Sequence, residues 1–304
     1  MFFTGFADEA ADSLSDQISA TRELGWRHIE SRRIDGVMIH DLDDAAFDRA
    51  AGQLADAGMQ VNCFGSAIAN WAKHIDKDPD ASFDEARRCI PRMRRLGTTH
   101  VRIMSYAIRK DAQGRAVADQ MEAERFRRVR ELNRMFADAG LVAVHENCMN
   151  YGGMGWEFTL RLIENVPGLK LVFDTGNPTH SDDHCILARA DGWRPKQSSW
   201  DFYRRVREHI AYVHIKDGRM EGEGGHMHTW PGEGQGDVAC VLKDLLERGY
   251  DGGISIEPHI ASVFHDPSVV GDAARKRASY IEYGRRTMRL VEALRPGAAV
   301  SAAR

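Results

Sequence analysis

Four short apolar segments of this sequence each end in a side chain that can bind a metal ion or transfer a proton. An apolar run at 141–144 shortly precedes Glu146, and Asp174, His214 and Glu257 stand at the ends of three later runs. A buried strand that ends on such a residue brings polar chemistry to the rim of a hydrophobic core. Three carboxylates held close together would repel one another and raise their pKa values unless a cation neutralised them. The residue types therefore predict a cation site, provided that the fold brings them together.

Apolar strands alternate with amphipathic helices along the chain, and this pattern predicts how the four side chains are positioned. Strands are predicted at 2–6, 28–31, 60–64, 100–104, 141–146, 169–174, 210–215 and 253–257. Helices are predicted at 12–24, 43–57, 83–96, 121–139, 159–165, 200–209, 238–248 and 274–294. Glycines suited to a left-handed helix cap follow several of them: Gly25, Gly58, Gly97, Gly140 and Gly249. The repetition predicts an α/β fold, a single (β/α)8 TIM barrel. The alternative, a doubly wound sheet, would need a glycine-rich phosphate turn that the sequence lacks.

In a (β/α)8 barrel the carboxyl ends of all strands open on one face, so residues far apart in sequence converge there. We expect the barrel domain to span 1–295 and the segment 296–304 to be a flexible tail. The longest irregular stretch, at 178–199, contains Ile186 and Trp193, which are poorly suited to solvent. This loop is predicted to be a lid over that face or a contact in a homo-oligomer.

Convergence at one face makes Glu146, Asp174, His214 and Glu257 candidate ligands of one divalent metal. Three carboxylates and one imidazole, without a thiolate, favour Mn²⁺, and Mg²⁺, Co²⁺ and Zn²⁺ are the alternatives. An ordinary salt bridge at the barrel rim explains any one of these acids about equally well. The repetition at four strand ends favours the metal site.

Composition excludes several classes of protein. The 304-residue chain has a formal net charge of -4 and no long block of one sign, so neither nucleic acid nor a membrane is expected as a partner. Its five cysteines have no CxxC spacing, which indicates reduced thiols. The N-terminal residues include acids and no basic leader, and no segment approaches the roughly 18 apolar residues of a membrane span. We expect a cytoplasmic protein that acts on a small molecule.

Five segments at or after the predicted strand ends form a set of motifs: His145-Glu146-Asn147, Phe173-Asp174-Thr175-Gly176-Asn177, Val213-His214-Ile215-Lys216-Asp217, Pro231-Gly232-Glu233-Gly234 and Ile256-Glu257. Together they resemble the strand-end motifs of the xylose isomerase-like barrels. That superfamily includes sugar isomerases and epimerases, dehydratases and endonuclease IV. The resemblance implies that Glu146, Asp174, His214 and Glu257 bind one divalent cation. From the ketose epimerases it also implies that Glu146 and Glu257 carry the substrate proton.

The loops after the strands differ from those of the nuclease members. Asn177 stands where the family's Asp-x-x-His motif has its histidine, and histidines that would bind further metals are missing, which again argues against nucleic acid as a substrate. We predict that Asn177 and Asn147, at the same rim, contact the substrate. His226 and His228, in the loop after the seventh strand, are predicted to bind substrate, with a role in loop structure as the alternative.

Three further residues have two interpretations each. His145 is a candidate catalytic base, but strand alternation turns it away from Glu146, so a buried position facing the helices is the alternative. Lys216 is predicted to bind a substrate oxyanion, or else to form a salt bridge between strand ends. Glu30 is predicted to contact a sugar hydroxyl, or else to form an ion pair inside the barrel.

The chemistry of such a site predicts a reaction class. A cation that chelates the carbonyl and a neighbouring hydroxyl of a keto-sugar acidifies the adjacent C–H bond and stabilises an enediolate. We therefore predict a divalent-metal-dependent isomerase or epimerase of a keto-sugar or polyol, unphosphorylated because no phosphate-binding motif is present. One alternative is a metal-dependent lyase, either a dehydratase or an enzyme that eliminates the aglycone from a 3-oxo-glycoside. For the latter the resemblance implies a small partner subunit. The other alternative is a non-catalytic sugar-binding barrel.

Overall fold

Parallel strands form a nearly closed barrel in the computed structural model, which describes residues 1–222, 225–263 and 266–295. The strands β1 to β8 span Phe2–Gly5, His28–Ser31, Gln60–Ile68, His100–Ile103, Val142–Glu146, Lys170–Asp174, Ile210–Ile215 and Gly253–Ile256. All eight begin close to the predicted positions, and all but β3, which ends four residues later than predicted, also end close to them. The predicted (β/α)8 TIM barrel is confirmed.

The strand order of the sheet follows the sequence. Neighbours hydrogen bond in the order β1-β8-β7-β6-β5-β4-β3-β2, and Phe6 and Glu30 form a parallel bridge where β1 and β2 meet. Pairing sets Asp174 opposite His214, and His214 opposite Ser255. The register thus holds the ends of β6, β7 and β8 at similar heights at one end of the barrel.

Amphipathic helices cover the outside of the wall. The helices α1 to α8 span Leu14–Glu23, Asp44–Asp56, Asp80–Leu96, Glu122–Asp138, Trp156–Asn165, Ser199–Val206, Val238–Glu247 and Ala273–Leu294. In α3, the buried residues Phe83, Ala86, Cys89 and Met93 recur at the spacing of one helical face. The predicted cap glycines all have positive φ, which an L side chain adopts only with strain. They are Gly25, Gly58, Gly97, Gly140 and Gly249.

A small apolar layer lies inside the barrel, below the strand ends. It consists of Cys63, Val144, Val172 and Tyr212. Because side chains alternate along a strand, Glu146, Asp174 and His214, each two residues after a member of this layer, point to the same interior side. The same alternation turns His145 outward, toward the helices.

The connections at the carboxyl ends carry additional structure. A short helix, Asn177–His180, follows β6, and the hydrogen bond from Gln197 N to Ser181 O, at 3.0 Å, joins the ends of the loop after it. Strands Gly218–Glu221 and Gly225–His228 form an antiparallel hairpin after β7. Within the described ranges no helix is long and apolar enough to cross a membrane. The predicted flexible tail, 296–304, lies outside the described residues.

Candidate metal centre

Glu146, Asp174, His214 and Glu257 come together at the carboxyl ends of β5 to β8. Each offers one ligand atom, and these atoms all lie within 4.8 Å of one another. The residues are buried, with at most 3% of their surface exposed. Three carboxylates and one imidazole in such proximity form a donor set suited to a divalent cation. This cluster therefore fits a divalent metal ion.

A buried arginine and the imidazole of the cluster hold Glu146. The Arg102 guanidinium donates from Nη1 to Glu146 Oε2 at 3.1 Å, and His214 Nδ1 lies 3.2 Å from Glu146 Oε1. Burial alone would raise the pKa of Glu146, but Arg102 and His214 lower it to about 2. Glu146 is therefore ionised at neutral pH, and its carboxylate is fixed in orientation.

Glu257 has a matching arrangement after β8. Arg32 Nη1 donates to Glu257 Oε1 at 3.2 Å, and Lys216 Nζ donates to Oε2 at 2.8 Å. Burial opposes ionisation, but Lys216 and Arg32 hold the pKa of Glu257 well below its usual range. The guanidinium groups of Arg32 and Arg102 lie 4.5 and 5.1 Å from the ring centroid of Phe6. One buried aromatic ring thus contacts the two arginines that orient the two glutamates.

The two carboxylate oxygens of Asp174 have different surroundings. Its Oδ1 accepts hydrogen bonds from the backbone N–H groups of Gly176 at 2.9 Å and Asn177 at 2.6 Å. Its Oδ2 lies 3.1 Å from Lys216 Nζ but has no hydrogen-bond partner of good geometry among the described residues. Burial raises the pKa of Asp174 to about 6, against the lowering effect of Lys216. A buried oxygen with unused lone pairs beside three other donors supports the assignment of a metal site.

Glu30 orients His214 from inside the barrel. Nε2 of His214 lies 3.1 Å from Glu30 Oε2, while Nδ1 faces Glu146. Glu30 also accepts hydrogen bonds from Tyr212 Oη at 2.9 Å and Ser255 Oγ at 2.6 Å, and it is fully buried. These contacts match the alternative interpretation of Glu30, an ion pair inside the barrel, and a contact with substrate stays a prediction. A carboxylate on the far nitrogen of a ligand histidine fixes its ring orientation and tautomer.

The sequence of the chain decides its family. The model of the xylose isomerase-like TIM barrel family matches residues 18–295. The chain belongs to this family. No curated protein matches this xylose isomerase-like barrel.

Solved structures of similar fold include several relatives of low sequence identity. D-Psicose 3-epimerase with D-tagatose, from Clostridium cellulolyticum H10, has 14% identity and a TM-score of 0.67, covering 96% of this chain and 99% of that chain. The IOLI protein with a bound zinc atom has 16% identity and a TM-score of 0.69, with coverage of 96% and 98%. The probable 3-DHS dehydratase AsbF from Bacillus anthracis has 16% identity and a TM-score of 0.64, with coverage of 92% and 97%. At these identities the likeness shows the fold alone.

In this xylose isomerase-like barrel, His145 points away from the cluster. Its Nε2 lies 3.0 Å from Ser105 Oγ and 3.2 Å from Asn150 Oδ1, and the residue is buried. Burial lowers the pKa of His145 to about 4, so the imidazole is neutral at pH 7. The structure thus places His145 in the alternative, helix-facing position and does not bring it to the proposed ligands.

The two asparagines of the rim have different surroundings. Asn147 braces the ends of β5 and β6, because its amide donates to Asp174 O at 2.9 Å and accepts from Asp174 N at 2.7 Å. Asn177 lies beside the donors, with its Nδ2 3.4 Å from Glu146 Oε1. The contacts of Asn147 indicate a structural role, whereas Asn177 stays a candidate substrate contact.

His226 and His228 belong to a row of four histidines near the cluster. Ring centroids are 4.5 Å apart for His180 and His226, 4.8 Å for His226 and His228, and 4.9 Å for His228 and His259. Burial, with Lys216 and the neighbouring imidazoles, lowers the pKa of His226 to about 4 and those of His180 and His228 to about 2. These imidazoles are neutral at pH 7, and substrate binding by His226 and His228 stays a prediction.

We expect His180, His226 and His228 to make the protein less stable as the pH falls from about 7 to about 5, against the opposite effects of Asp174 and His214, whose pKa values are raised to about 6 and about 10. In this range the unfolded chain protonates histidines, with pKa near 6.5, that stay neutral in the folded protein, so lower pH favours unfolding. Each of His180, His226 and His228 contributes at most about 1.4 kcal/mol of unfolding free energy per pH unit. The charged and titratable neighbours that set these pKa values are Lys196, Lys216, Glu257 and His259. Urea unfolding at a series of pH values measures the loss.

The double variant His226→Gln/His228→Gln is the comparison for this pH dependence. It lacks two of the three groups, so its unfolding free energy should fall less steeply than that of the wild type over the same range. Equal slopes for the two proteins would contradict the assignment.

Asp217 organises the loop after β7, a role that the sequence analysis did not predict. Its Oδ1 accepts hydrogen bonds from the N–H groups of Gly218 and Gly236, both at 2.9 Å. Its Oδ2 accepts from Gly232 at 2.9 Å and Gly234 at 3.0 Å. A Cβ atom at Gly234 would lie 2.3 Å from Asp217 Oδ1, so this approach requires glycine. In the sequence, this role could have been inferred from the glycines at every second position, 232, 234 and 236, in the loop that follows Asp217.

Asp217→Asn should destabilise the protein by about 2–6 kcal/mol. The amide NH₂ would replace one acceptor oxygen and leave two backbone donors unpaired, each at a cost of about 1–3 kcal/mol. Urea unfolding measures the change, and Asp251→Asn, at an exposed position, is the matched control. A change for Asp217→Asn within about 0.5 kcal/mol, as is usual for surface substitutions, would refute the role.

Proposed function

We propose that this protein is a divalent-metal-dependent isomerase or epimerase of a keto-sugar or polyol. The observation that carries the proposal is the buried cluster of Glu146, Asp174, His214 and Glu257, with donor atoms within 4.8 Å of one another. The similar structure of D-psicose 3-epimerase with D-tagatose supports a sugar as substrate. Enzymes on this scaffold also include a probable dehydratase, so the reaction type requires its own test.

The proposed cofactor is one divalent ion. The oxygen-rich donor set favours Mn²⁺, with Mg²⁺, Co²⁺ and Zn²⁺ as alternatives, and the zinc atom in the IOLI structure keeps zinc among them. When bound, such an ion supplies a Lewis acid that polarises the substrate carbonyl and acidifies the neighbouring C–H bond.

Glu146 and Glu257 are proposed to move the substrate proton. Both are ionised in the metal-free protein, so either can accept the proton as the C–H bond breaks and its electron pair enters an enediolate. Return of the proton to the neighbouring carbon gives isomerisation, and return to the opposite face gives epimerisation. Arg102 and Arg32 keep the two carboxylates in orientation, and the Lys216 ammonium supplies a donor for a developing oxyanion.

The second candidate function is a lyase on the same site. Its support is a cavity of about 780 Å³ whose lining includes Met149 and His180, each three residues from a residue at the cluster, Glu146 or Asn177. Its volume lies in the range of pockets that hold ligands larger than a monosaccharide. A 3-oxo-glycoside with its aglycone is such a ligand. Homo-oligomer formation, and a small partner subunit for the lyase, stay predictions.

Deuterium wash-in tests the proposal. The protein is loaded in turn with Mn²⁺, Mg²⁺, Co²⁺ and Zn²⁺ and incubated in D₂O with a panel of keto-sugars and 3-oxo-glycosides. Deuterium next to the carbonyl, in a product that has lost no other atoms, supports the isomerase or epimerase. A product that has lost water or the aglycone identifies the lyase. Sugar binding without deuterium uptake under any of these metals would overturn both and leave the non-catalytic barrel.

A further inference from the structure

The cavity beside the cluster has an apolar wall that no sugar hydroxyl requires. Its volume is about 780 Å³, and Trp71, Ile108, Met149 and Met154 contribute apolar surface to it. Apolar and aromatic lining of this kind favours a ligand with a planar or aliphatic part of its own. The cavity therefore suits more than a polar ring.

The cavity adjoins the metal cluster through one turn of helix. Asn177 begins the helix Asn177–His180 and contacts Glu146, while His180 at its other end lines the cavity. Three residues of helix rise span only about 4.5 Å. Met149, three residues after Glu146, lines the same cavity. The four proposed ligands do not line the cavity themselves, and the short helix and Met149 place it about one helical turn from them, which is the distance that a substrate with its sugar at the cluster would span.

The lining of this cavity is positively charged, although the chain has a formal net charge of -4. Its cations are Lys110, Arg115, Arg189, Arg194 and Lys196, and its carboxylates are Asp111 and Asp182. Both carboxylates are already paired, Asp111 with Arg115 at 2.9 Å and Asp182 with Lys196 at 2.8 Å. The cavity thus has more cations than its own acids can neutralise.

Lys110 and Arg194 are the cations that lack such a partner. Among the described residues neither forms an ion pair with a carboxylate, although Arg194 Nη1 donates a hydrogen bond to Ile186 O. They come from different loops, after β4 and after β6, and both lower the pKa of His184, a third residue of the lining, in addition to its burial. Two cations that converge from separate loops on one cavity create a local positive potential suited to an anion.

We infer that the cavity binds an anionic group, a carboxylate or a phosphate, on the part of the substrate that extends beyond the sugar ring at the metal cluster. The inference rests on the proposed function for the position of the sugar and names the substrate class of that site. The sequence predicts an unphosphorylated keto-sugar or polyol, not an anionic substrate. The positive cavity could not be predicted because Lys110 and Arg194 lie far apart in sequence and only the fold brings them together.

Binding of two anionic probes tests this inference. Phenyl phosphate and benzoate each join an apolar ring to an anion, and benzyl alcohol is the neutral counterpart. Calorimetry with the full metal-loaded chain at pH 7 should show that at least one anion binds more tightly than benzyl alcohol, and that added salt weakens its binding because exposed charges are screened. Tighter binding of phenyl phosphate indicates a phosphate-bearing substrate, and tighter binding of benzoate indicates a carboxylate.

The double variant Lys110→Gln/Arg194→Gln locates the anion. We expect the Kd of the preferred probe to rise about fivefold, the scale of two exposed charge interactions. The control, Arg134→Gln/Arg285→Gln, removes the same charge from exposed helix positions, where 59% and 48% of the side chains are accessible, and should leave Kd within about twofold.

Two results would overturn the inference. One is a preference for benzyl alcohol over both anions. The other is an unchanged Kd in Lys110→Gln/Arg194→Gln, as expected if the anion binds directly to the metal. Deuterium wash-in by the wild type with neutral keto-sugars is independent of these probes, so it separates failure of the cavity assignment from failure of the proposed reaction.

Discussion

Glu257→Gln should lose both the bound metal and the exchange of solvent protons into substrate. The substitution replaces a carboxylate donor by a neutral amide and removes one of the two groups proposed to accept the proton. Loss of a general base typically lowers kcat by about 10²–10⁴-fold. Substitution of a residue that only hydrogen bonds to a metal ligand already lowers metal affinity by about 10–100-fold, so loss of a ligand should cost at least as much. Metal analysis after dialysis and deuterium wash-in measure the two effects.

The control for this variant must separate chemistry from folding. Glu247→Gln changes an exposed glutamate on α7, with 56% of the side chain accessible, and should keep metal content and exchange. Because Arg32 and Lys216 lose a partner in Glu257→Gln, the near-ultraviolet circular dichroism of the two variants should be compared as well. Exchange at the wild-type rate in a folded, metal-free Glu257→Gln protein would sink the proposed mechanism.

The fold could be predicted because its signal is local. Each strand is an apolar run, and each helix has its own periodic face and cap, so the pattern needs no knowledge of distant contacts. Some boundaries differ from the prediction, for example those of β3 and α3. β3 continues to Ile68, beyond the predicted end at 64, because the strand pairs with β4 again after an irregularity. α3 begins at Asp80, before the predicted 83.

The proximity of the four proposed ligands could also be predicted, because parallel strands and side-chain alternation bring their ends to one interior face. Their partners could not. Arg32 follows β2 and Phe6 follows β1, and neither position has a pattern that predicts a contact with Glu257 or Arg102. The partners of Glu30 come from β7 and β8, so its place below the cluster also depends on closure of the barrel.

Lys216→Met should destabilise the metal-free protein more than the metal-loaded protein. The Lys216 ammonium lies 3.1 Å from Asp174 and 2.8 Å from Glu257, and removal of one partner from a buried ionic network costs about 3–5 kcal/mol. A divalent ion bound by the cluster would neutralise the same two carboxylates. Metal should therefore raise the unfolding free energy of the variant by more than it raises that of the wild type. Urea unfolding with and without saturating Mn²⁺ measures both differences.

The pH dependence of the stability difference between Lys216→Met and the wild type tests the same prediction independently. In the wild type the pKa of Asp174 is already raised, by burial, to about 6, and loss of the Lys216 ammonium should raise it further. An acid whose pKa is higher in the folded than in the unfolded state binds more protons when folded, so stability falls as the pH rises from the unfolded value, 3.8, through the folded one. The deficit of metal-free Lys216→Met relative to the wild type should therefore shrink as the pH is lowered from about 8 to about 6. Loss of Lys216 should also raise the pKa values of His180, His226 and His228, which weakens their destabilising effect at low pH and so acts in the same direction. Lys243→Met, at a side chain 61% exposed on α7, should show neither effect. A deficit that is equal with and without metal, and constant with pH, would mean that Lys216 contributes packing and not charge.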